Sequence, residues 1–239
     1  MRAPSGAISE AQASGPNPWY FSHVLGDDSE DIPSRIDLRD PTTARAWTSE
    51  ADLKRPWREQ LRVAIAGTLN AASLPVRRVL ELGSGPGLLA ERVLRSCAVE
   101  HYTLLDFSQP MLDLSRARVG QHPAATFVLA DFKRPGWTRS VEAPFDAVIT
   151  MQAVHELRHK RHIIGLYRQV HDILCSGGLL LVCDHVPPDE SSRSTALHAT
   201  EEEQHRAFLD AGFARVKTEL LLRGLYLCSG DRAGDSARA

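Results

Sequence analysis

Val79-Leu80-Glu81-Leu82-Gly83-Ser84-Gly85-Pro86-Gly87 is the stretch on which the fold turns. An apolar run that delivers one carboxylate and then three glycines at alternate positions reads as a strand ending in a tight turn. The backbone there must bend sharply and lie against a ligand, where a Cβ would collide. The helix beginning after Gly87 then offers free backbone N–H groups to an anionic part of that ligand. A dinucleotide fingerprint would place its third glycine where Leu88 stands, and a P-loop would need Gly-Lys-Ser or Gly-Lys-Thr after the turn. Neither is present. A tight loop of purely structural purpose stays open.

Working outward, short β-rich runs alternate with helical periodicity from Val76 onward, the pattern of βαβ units and a mostly parallel sheet. Residues 78–82 form a first strand, and the helix after it carries Leu88, Leu89, Val93 and Leu94 on one side. Residues 102–106 form a second strand. Ser108 then caps a helix with Pro110 in its first turn, and Met111, Leu112 and Leu114 face the sheet. Residues 126–130 and 145–150 are the third and fourth strands. Ile163, Ile164, Tyr167, Val170 and Leu174 share a helix face that Gly177-Gly178 stops, and residues 179–183 make a fifth, fully buried strand. Thr200 and Glu203 spell a capping box, with Gly212 closing that helix. The last strands, 216–222 and 225–228, are separated by Arg223-Gly224, which only an antiparallel hairpin can span. Upstream of the sheet, Pro56 begins a helix with a Leu61, Ile65, Leu69 stripe.

The chain has 239 residues, 43% of them hydrophobic and 24% charged, enough for one α/β core with short extensions. With 28 basic against 30 acidic side chains there is no global positive field for a polyphosphate backbone, so nucleic acid is a poor partner. The four cysteines (Cys97, Cys175, Cys183, Cys228) are far apart and mostly in apolar runs, which suits reduced thiols and a cytoplasmic location. Lysine occurs only at 54, 133, 160 and 217, and the preference for arginine points to a GC-rich bacterial source. No run approaches the roughly 18 apolar residues that span a bilayer. The division expected is a disordered tail over 1–18, an N-terminal helical lid segment over 19–75, the sheet domain over 76–230 and a second tail over 231–239.

The order of elements over residues 76–230, with the turn at Gly83–Gly87, resembles the class I S-adenosylmethionine-dependent methyltransferases. The resemblance implies a single Rossmann-like, doubly wound α/β sheet of seven strands with an antiparallel C-terminal hairpin. It also implies S-adenosylmethionine as cofactor and S-adenosylhomocysteine as product. Asp106 ends the second strand, where a carboxylate accepts hydrogen bonds from both ribose hydroxyls, a device that NAD enzymes share. Ala130-Asp131-Phe132 is similar to the motif in which Asp meets the adenine amino group and the next residue packs its ring. Carried over position by position, the cofactor residues are Glu81, Gly83, Gly85, Gly87, Asp106, Phe107, Met111, Asp131, Phe132 and Met151. Asp131 also suits a plain loop carboxylate, and Met111 a core position.

Ligands of open α/β sheets bind beyond the carboxyl ends of the strands, so the acceptor should meet Met151-Gln152-Ala153-Val154-His155-Glu156-Leu157 and Asp184-His185. The first stretch resembles that of small-molecule class I enzymes with a histidine soon after the fourth strand. It lacks the Asn-Pro-Pro-Tyr, Asp-Pro-Pro-Tyr and Pro-Cys patterns of nucleic-acid base methylation. His155 is the candidate catalytic residue, as general base or as an orienting group; the plainer role is to tie the loop to a carboxylate. Gln152, His185, Trp47 and Trp57 are the candidate substrate contacts. His155, Glu156, Asp184 and His185 share a rim, yet Thr150-Met151-Gln152 lacks the Asp of catechol-type enzymes, so no metal set is assigned. The basic run Arg158-His159-Lys160-Arg161-His162 reads as a solvated helix start or as steering for an anionic acceptor. Trp19, Tyr20, Trp47 and Trp57 need apolar cover, so the segment before Val76 either closes over the site or packs on the sheet edge. The function expected is methyl transfer to an O or N atom of a small molecule. An RNA or protein methyltransferase, or a non-catalytic protein that binds S-adenosylmethionine, are the alternatives.

Overall fold

Short runs rich in β-branched and other apolar residues form seven strands that pair into one sheet. They are β1 (Arg78–Leu82), β2 (His101–Asp106), β3 (Ala125–Leu129), β4 (Phe145–Met151), β5 (Leu174–His185), β6 (Phe213–Leu222) and β7 (Leu225–Arg232), in the order β3-β2-β1-β4-β5-β7-β6. All pairings are parallel except those of β7, which runs against both β5 and β6. This computed structural model describes residues 30–188 and 194–234. The expected tail over 1–18 lies outside the described residues, as do Trp19, Tyr20 and positions 235–239.

The helices are α1 (Pro41–Lys54), α2 (Arg58–Asn70), α3 (Leu88–Ser96), α4 (Gln109–Val119), α5 (Ile163–Ile173), α6 (Ser194–Leu197) and α7 (Glu201–Asp210). They cover both faces of the sheet, so the central strands are apolar on both sides. Leu80, Leu82, Val148 and Val182 meet Tyr167, Val170 and Phe208 on one face, while Val79, Ile149 and Leu181 meet Leu61, Ile65, Leu69 and Val93 on the other. The Leu61, Ile65, Leu69 stripe thus packs as the spacing requires. Thr200 and Glu203 form the expected capping box on α7. Arg223 (φ 49) and Gly224 (φ 75) are both left-handed, the conformation of a two-residue hairpin turn.

Four details differ from the sequence reading. Leu174 begins β5 rather than ending α5: it pairs with Phe145, and the next ladder pair is Ala147 with Leu179. The glycines therefore serve a detour inside the strand, with Gly177 at φ +77, rather than a helix stop. An apolar residue one turn beyond Val170 satisfies either placement, so periodicity cannot separate them. Ser115, not Leu114, joins Met111 and Leu112 on the buried face of α4, because Gly87 crosses that helix too closely for a larger side chain. Strand β7 continues through Arg232, whose guanidinium donates to the carbonyls of His171 and Leu174 and so anchors a stretch read as the start of a tail. Helix α1 lies within the expected helical segment, but its bounds are not among those read from the sequence. Its signal was Asp40, which accepts the Thr43 N–H at 2.6 Å, followed by Pro41 at the first helical position.

The basic run is largely a clasp. The Ile32 N–H donates to the Arg158 carbonyl, the Arg158 side chain donates to the carbonyls of Ile32 and Pro33, and Arg161 and His162 engage Asp31. Among the described residues no helix is long and apolar enough to cross a membrane.

Glu81 is the one acid buried in β1, at 2% exposure, with the Tyr102 hydroxyl donating to it at 2.7 Å. Burial pushes its carboxyl up to about 8, against the pull of the Tyr102 hydrogen bond. The unfolded chain ionises this group above about 4.5, so stability falls as pH climbs from there and the loss is complete once pH passes about 8. Glu81→Gln retains an acceptor for Tyr102 and removes the penalty. Urea denaturation should find it near wild type at pH 4.5 and more stable by on the order of 2–4 kcal/mol at pH 9; parallel pH profiles for the two proteins would show that the buried carboxyl is ionised.

Candidate active site

The strand order reverses between β1 and β4, and the crevice at their carboxyl ends is where an open α/β sheet receives ligands. The glycine turn after β1 is tied to β2 twice over. The N–H groups of Gly83 and Ser84 donate to the Leu105 carbonyl (2.8 and 3.0 Å), and the Gly85 N–H donates to Asp106 Oδ2 at 2.8 Å. Asp106 Oδ1 accepts the Ser108 N–H at 2.9 Å. Burial pushes the Asp106 carboxyl up to about 6, held from going further by these backbone donors, so it is ionised near neutrality.

The three glycines do different work. A Cβ on Gly83 would stand 2.4 Å from the Ala153 Cβ, and one on Gly87 would stand 2.5 Å from Ser115 Oγ. Gly85, at φ +53, faces open space. Of the three, only Gly85 has the geometry of a backbone left bare for a ligand; the others make room for protein. Around it the hydroxyls of Ser84 and Thr150 are buried without hydrogen-bond partners, at the carboxyl ends of β1 and β4. Phe132 is buried near Gly83, and Asp131 follows β3 with its Oδ1 accepting the Lys133 N–H. Phe107 carries Arg39 and Lys133 on its ring at 4.7 and 5.6 Å. Met111 is fully buried under α1, its Sδ 3.9 Å from the Thr48 hydroxyl, so its packing is that of a core residue. Met151 is half-buried at the end of β4.

Across the crevice, Asp184 near the end of β5 is buried at 3% exposure. Its Oδ1 accepts from His155 Nδ1 (2.8 Å) and from the His185 N–H (2.7 Å), and its Oδ2 accepts the His155 N–H (2.9 Å). His155 Nε2 lies 3.4 Å from Glu156 Oε1, which faces Arg158 on its other side. Burial alone would lower the His155 imidazole, but the Asp184 charge and hydrogen bond, with Glu156, outweigh it and raise it to about 10. His185 and His198 move the other way: burial, against the attraction of Asp184, lowers them to about 3 and about 4. They are therefore neutral, and His185 Nε2 can accept from the Gln152 amide at 2.8 Å. The rings of His155, His185 and His198 pack steeply inclined to one another, with centroids 5.2 to 5.6 Å apart. Donor atoms of His155, Asp184 and His185 fall within 4.8 Å of one another, so among the described residues these three could together hold a divalent cation.

His155, Gln152 and His185 are thus brought together as the sequence suggested. Trp47 and Trp57 are half-buried at α1 and just before α2, with Arg58 on the Trp47 ring (5.5 Å) and Arg223 of the β6–β7 turn on the Trp57 ring (5.2 Å). The chain before α1 reaches the rim: the Leu38 carbonyl accepts the Ser108 hydroxyl. His198 and Arg58 went unread. Their signals were faint, a histidine two residues before a helix cap and an arginine opening a helix, and only the fold supplies their neighbours.

The sheet order, the bare Gly85 turn and the acid ending β2 define a class I, Rossmann-like cofactor-binding fold. Residues 79–178 match the family described as a methyltransferase domain. The match spans fewer than half of the 239 residues, and over it the chain is similar to the S-adenosylmethionine-dependent methyltransferases. It is 31% identical over 85 residues to a malonyl-[acyl-carrier protein] O-methyltransferase from Chlorobium luteolum, a match covering 36% of this chain and 32% of that relative. The matched part thus spans about a third of the curated relative's length. An O-methyltransferase family protein from Burkholderia thailandensis superposes with a TM-score of 0.65 at 18% identity, over 83% of this chain and 62% of that one. The N-methyltransferase NodS from Bradyrhizobium japonicum gives 0.60 at 15% identity, over 75% and 98%. These two likenesses are of fold alone.

The glycine geometry predicts a split phenotype. Gly83→Ala and Gly87→Ala should lower unfolding stability by about 2 kcal/mol or more, because each needs both a left-handed alanine and a displaced neighbour. Gly85→Ala should cost only the backbone strain of about 1–2 kcal/mol while weakening ligand binding. Equal destabilisation of all three in thermal melts would remove the distinction.

Proposed function

We propose that this chain transfers a methyl group from S-adenosylmethionine to an O or N atom of a small molecule. The observation that carries the reading is Asp106, an ionised carboxylate pinned between two backbone N–H groups beside the bare face of Gly85. Residues 76–230 would be the catalytic domain. The residues fit the cofactor: Asp106 retains lone pairs for the ribose hydroxyls, Asp131 and Phe132 after β3 would meet the adenine, and the unpartnered Ser84 and Thr150 hydroxyls offer hydrogen bonds along the crevice. Glu81 supports the turn from beneath. When bound, the cofactor supplies a methyl group already activated as a sulfonium.

The remaining work is alignment of the acceptor and removal of its proton. Asp184 holds Nδ1 of His155, which fixes the ring and leaves Nε2 as the site of proton exchange. Gln152 and His185, bonded to each other, flank the acceptor path. The O- and N-methyltransferases among the similar proteins differ in acceptor, so the atom methylated rests on the chemistry of this rim. Free cysteines throughout the described residues suit the reducing cytoplasm, and the arginine-rich composition a bacterial source.

Calorimetry should show binding of S-adenosylmethionine and S-adenosylhomocysteine, severely weakened in Asp106→Ala with the fold intact; affinity for NAD and none for S-adenosylmethionine would end the proposal. Because the Asp184 pair raises His155 to about 10, the fraction of enzyme with a free Nε2 grows about tenfold per pH unit below that value. For an acceptor that must lose a proton, kcat/KM should therefore climb from pH 7 towards pH 9. His155→Ala should flatten this rise and lower turnover by about 10² to 10⁴-fold with little change in cofactor affinity. A folded His155→Ala enzyme with near-normal turnover would assign the imidazole to loop structure alone.

A further inference from the structure

Arg58, the first residue of α2, is 6% exposed. Its side chain makes no hydrogen bond or ion pair with any described residue, and its Nε is fully enclosed; the contact it does make is with the Trp47 ring. Burial lowers its guanidinium to about 10, so it remains charged at neutral pH. Arg55 and Arg62 repel it. Asp52 attracts it, but both Asp52 oxygens are taken by Arg62, at 2.7 and 3.2 Å. Directly before it, the Trp57 indole N–H is also buried without an acceptor. The backbone N–H groups of this turn are used within it, Arg58 to Arg55, Glu59 to Pro56 and Gln60 to Trp57, so the donors on offer are the side chains.

An enclosed cation with no counter-charge is among the most costly arrangements in a protein, and a fold retains it where a ligand supplies the missing charge. The position adjoins the acceptor rim. The Cys183 thiol of β5 acts on Arg58, the Cys183 carbonyl accepts the Gln152 N–H at 2.7 Å, and Arg55 acts on His185. A planar fork of N–H donors against the Trp47 ring, with an unpaired indole N–H on the preceding residue, suits a carboxylate, which takes two parallel hydrogen bonds and balances a single charge.

We propose that Arg58 and Trp57 form a carboxylate-binding subsite at the edge of the acceptor rim. This deepens the methyltransferase reading and rests on it for the identity of the ligand. The carboxylate belongs either to the methyl acceptor or to the methionyl end of the cofactor, and one set of variants separates the two.

Arg58→Met removes the charge at similar length, and Arg58→Lys keeps the charge without the fork. In the ligand-free protein Arg58→Met should melt about 2–4 °C higher, since an uncompensated buried charge is gone; a structural guanidinium would instead make it melt lower. S-adenosylhomocysteine and 5′-methylthioadenosine, which lacks the carboxylate, are then titrated into wild type and both variants, and benzoate is titrated into the S-adenosylhomocysteine complexes. A cofactor carboxylate at Arg58 is shown by a loss of tenfold or more for S-adenosylhomocysteine in both variants with 5′-methylthioadenosine unchanged. An acceptor carboxylate is shown by unchanged S-adenosylhomocysteine affinity and benzoate binding that is present in wild type and lost in Arg58→Met. Unchanged affinity for S-adenosylhomocysteine and no benzoate binding that depends on Arg58 overturn the subsite, as does equal weakening of the two adenosyl ligands. Failure of wild type to bind either adenosyl ligand would overturn the methyltransferase reading instead, while melting of the variants, and benzoate titrated into the ligand-free proteins, would still report on Arg58.

Discussion

Asp184 is a buried carboxylate that stays ionised because three N–H groups point at it, and those three bonds shape the acceptor rim. Two come from His155, backbone and ring, and one from the residue that follows it in β5. Burial opposes ionisation, yet the imidazolium of His155 holds the carboxyl well below the usual carboxylate range. The short 3-10 turn Val154–Leu157 begins where His155 is held, so the path of the chain out of β4 depends on that carboxylate. The same loop carries left-handed backbone at Gln152 (φ 56) and Arg158 (φ 67), a strain that such bonds must overcome. Without Asp184 the imidazole would keep neither its orientation nor its basicity.

Three acids at the carboxyl end of this sheet show how donors, rather than depth, set a charge. Glu81, Asp106 and Asp184 are all nearly inaccessible. Glu81 has one hydroxyl donor and is raised furthest, to about 8. Asp106 has two backbone donors and rises to about 6, and Asp184, with three donors and a neighbouring cation, falls. Near neutrality the site therefore holds a neutral acid beneath the glycine turn and charged ones on either side of the crevice. That ordering suits hydroxyl recognition on one side and control of an imidazole proton on the other.

Much of this was legible in the order of residues, and what was not has a common cause. Strands, caps and the hairpin turn are local matters of period and backbone preference, so Ser108, Thr200 and Arg223-Gly224 announce themselves. Partnerships across the chain do not. Arg158 gave a plausible reading as a surface charge because the carbonyl it binds is 126 positions away. Asp184 could be placed on the rim but not assigned to His155, 29 positions off, and the isolation of Arg58 is a property of what surrounds it in space. The glycines of the turn were assigned one purpose from their spacing, and the fold divides that purpose between neighbours and ligand.

The abutment of Gly83 on Ala153 carries a consequence for how such enzymes diversify. The glycine turn and the loop that bears His155 touch where the glycine has no room for one more carbon. A loop taken from a relative and grafted after β4 can vary freely at its tip, yet its second position must pass a glycine turn that has no room for a side chain of its own there. The rest of that loop can therefore change while the glycine turn keeps its path, and the clearance between the two is gauged by a single methyl group.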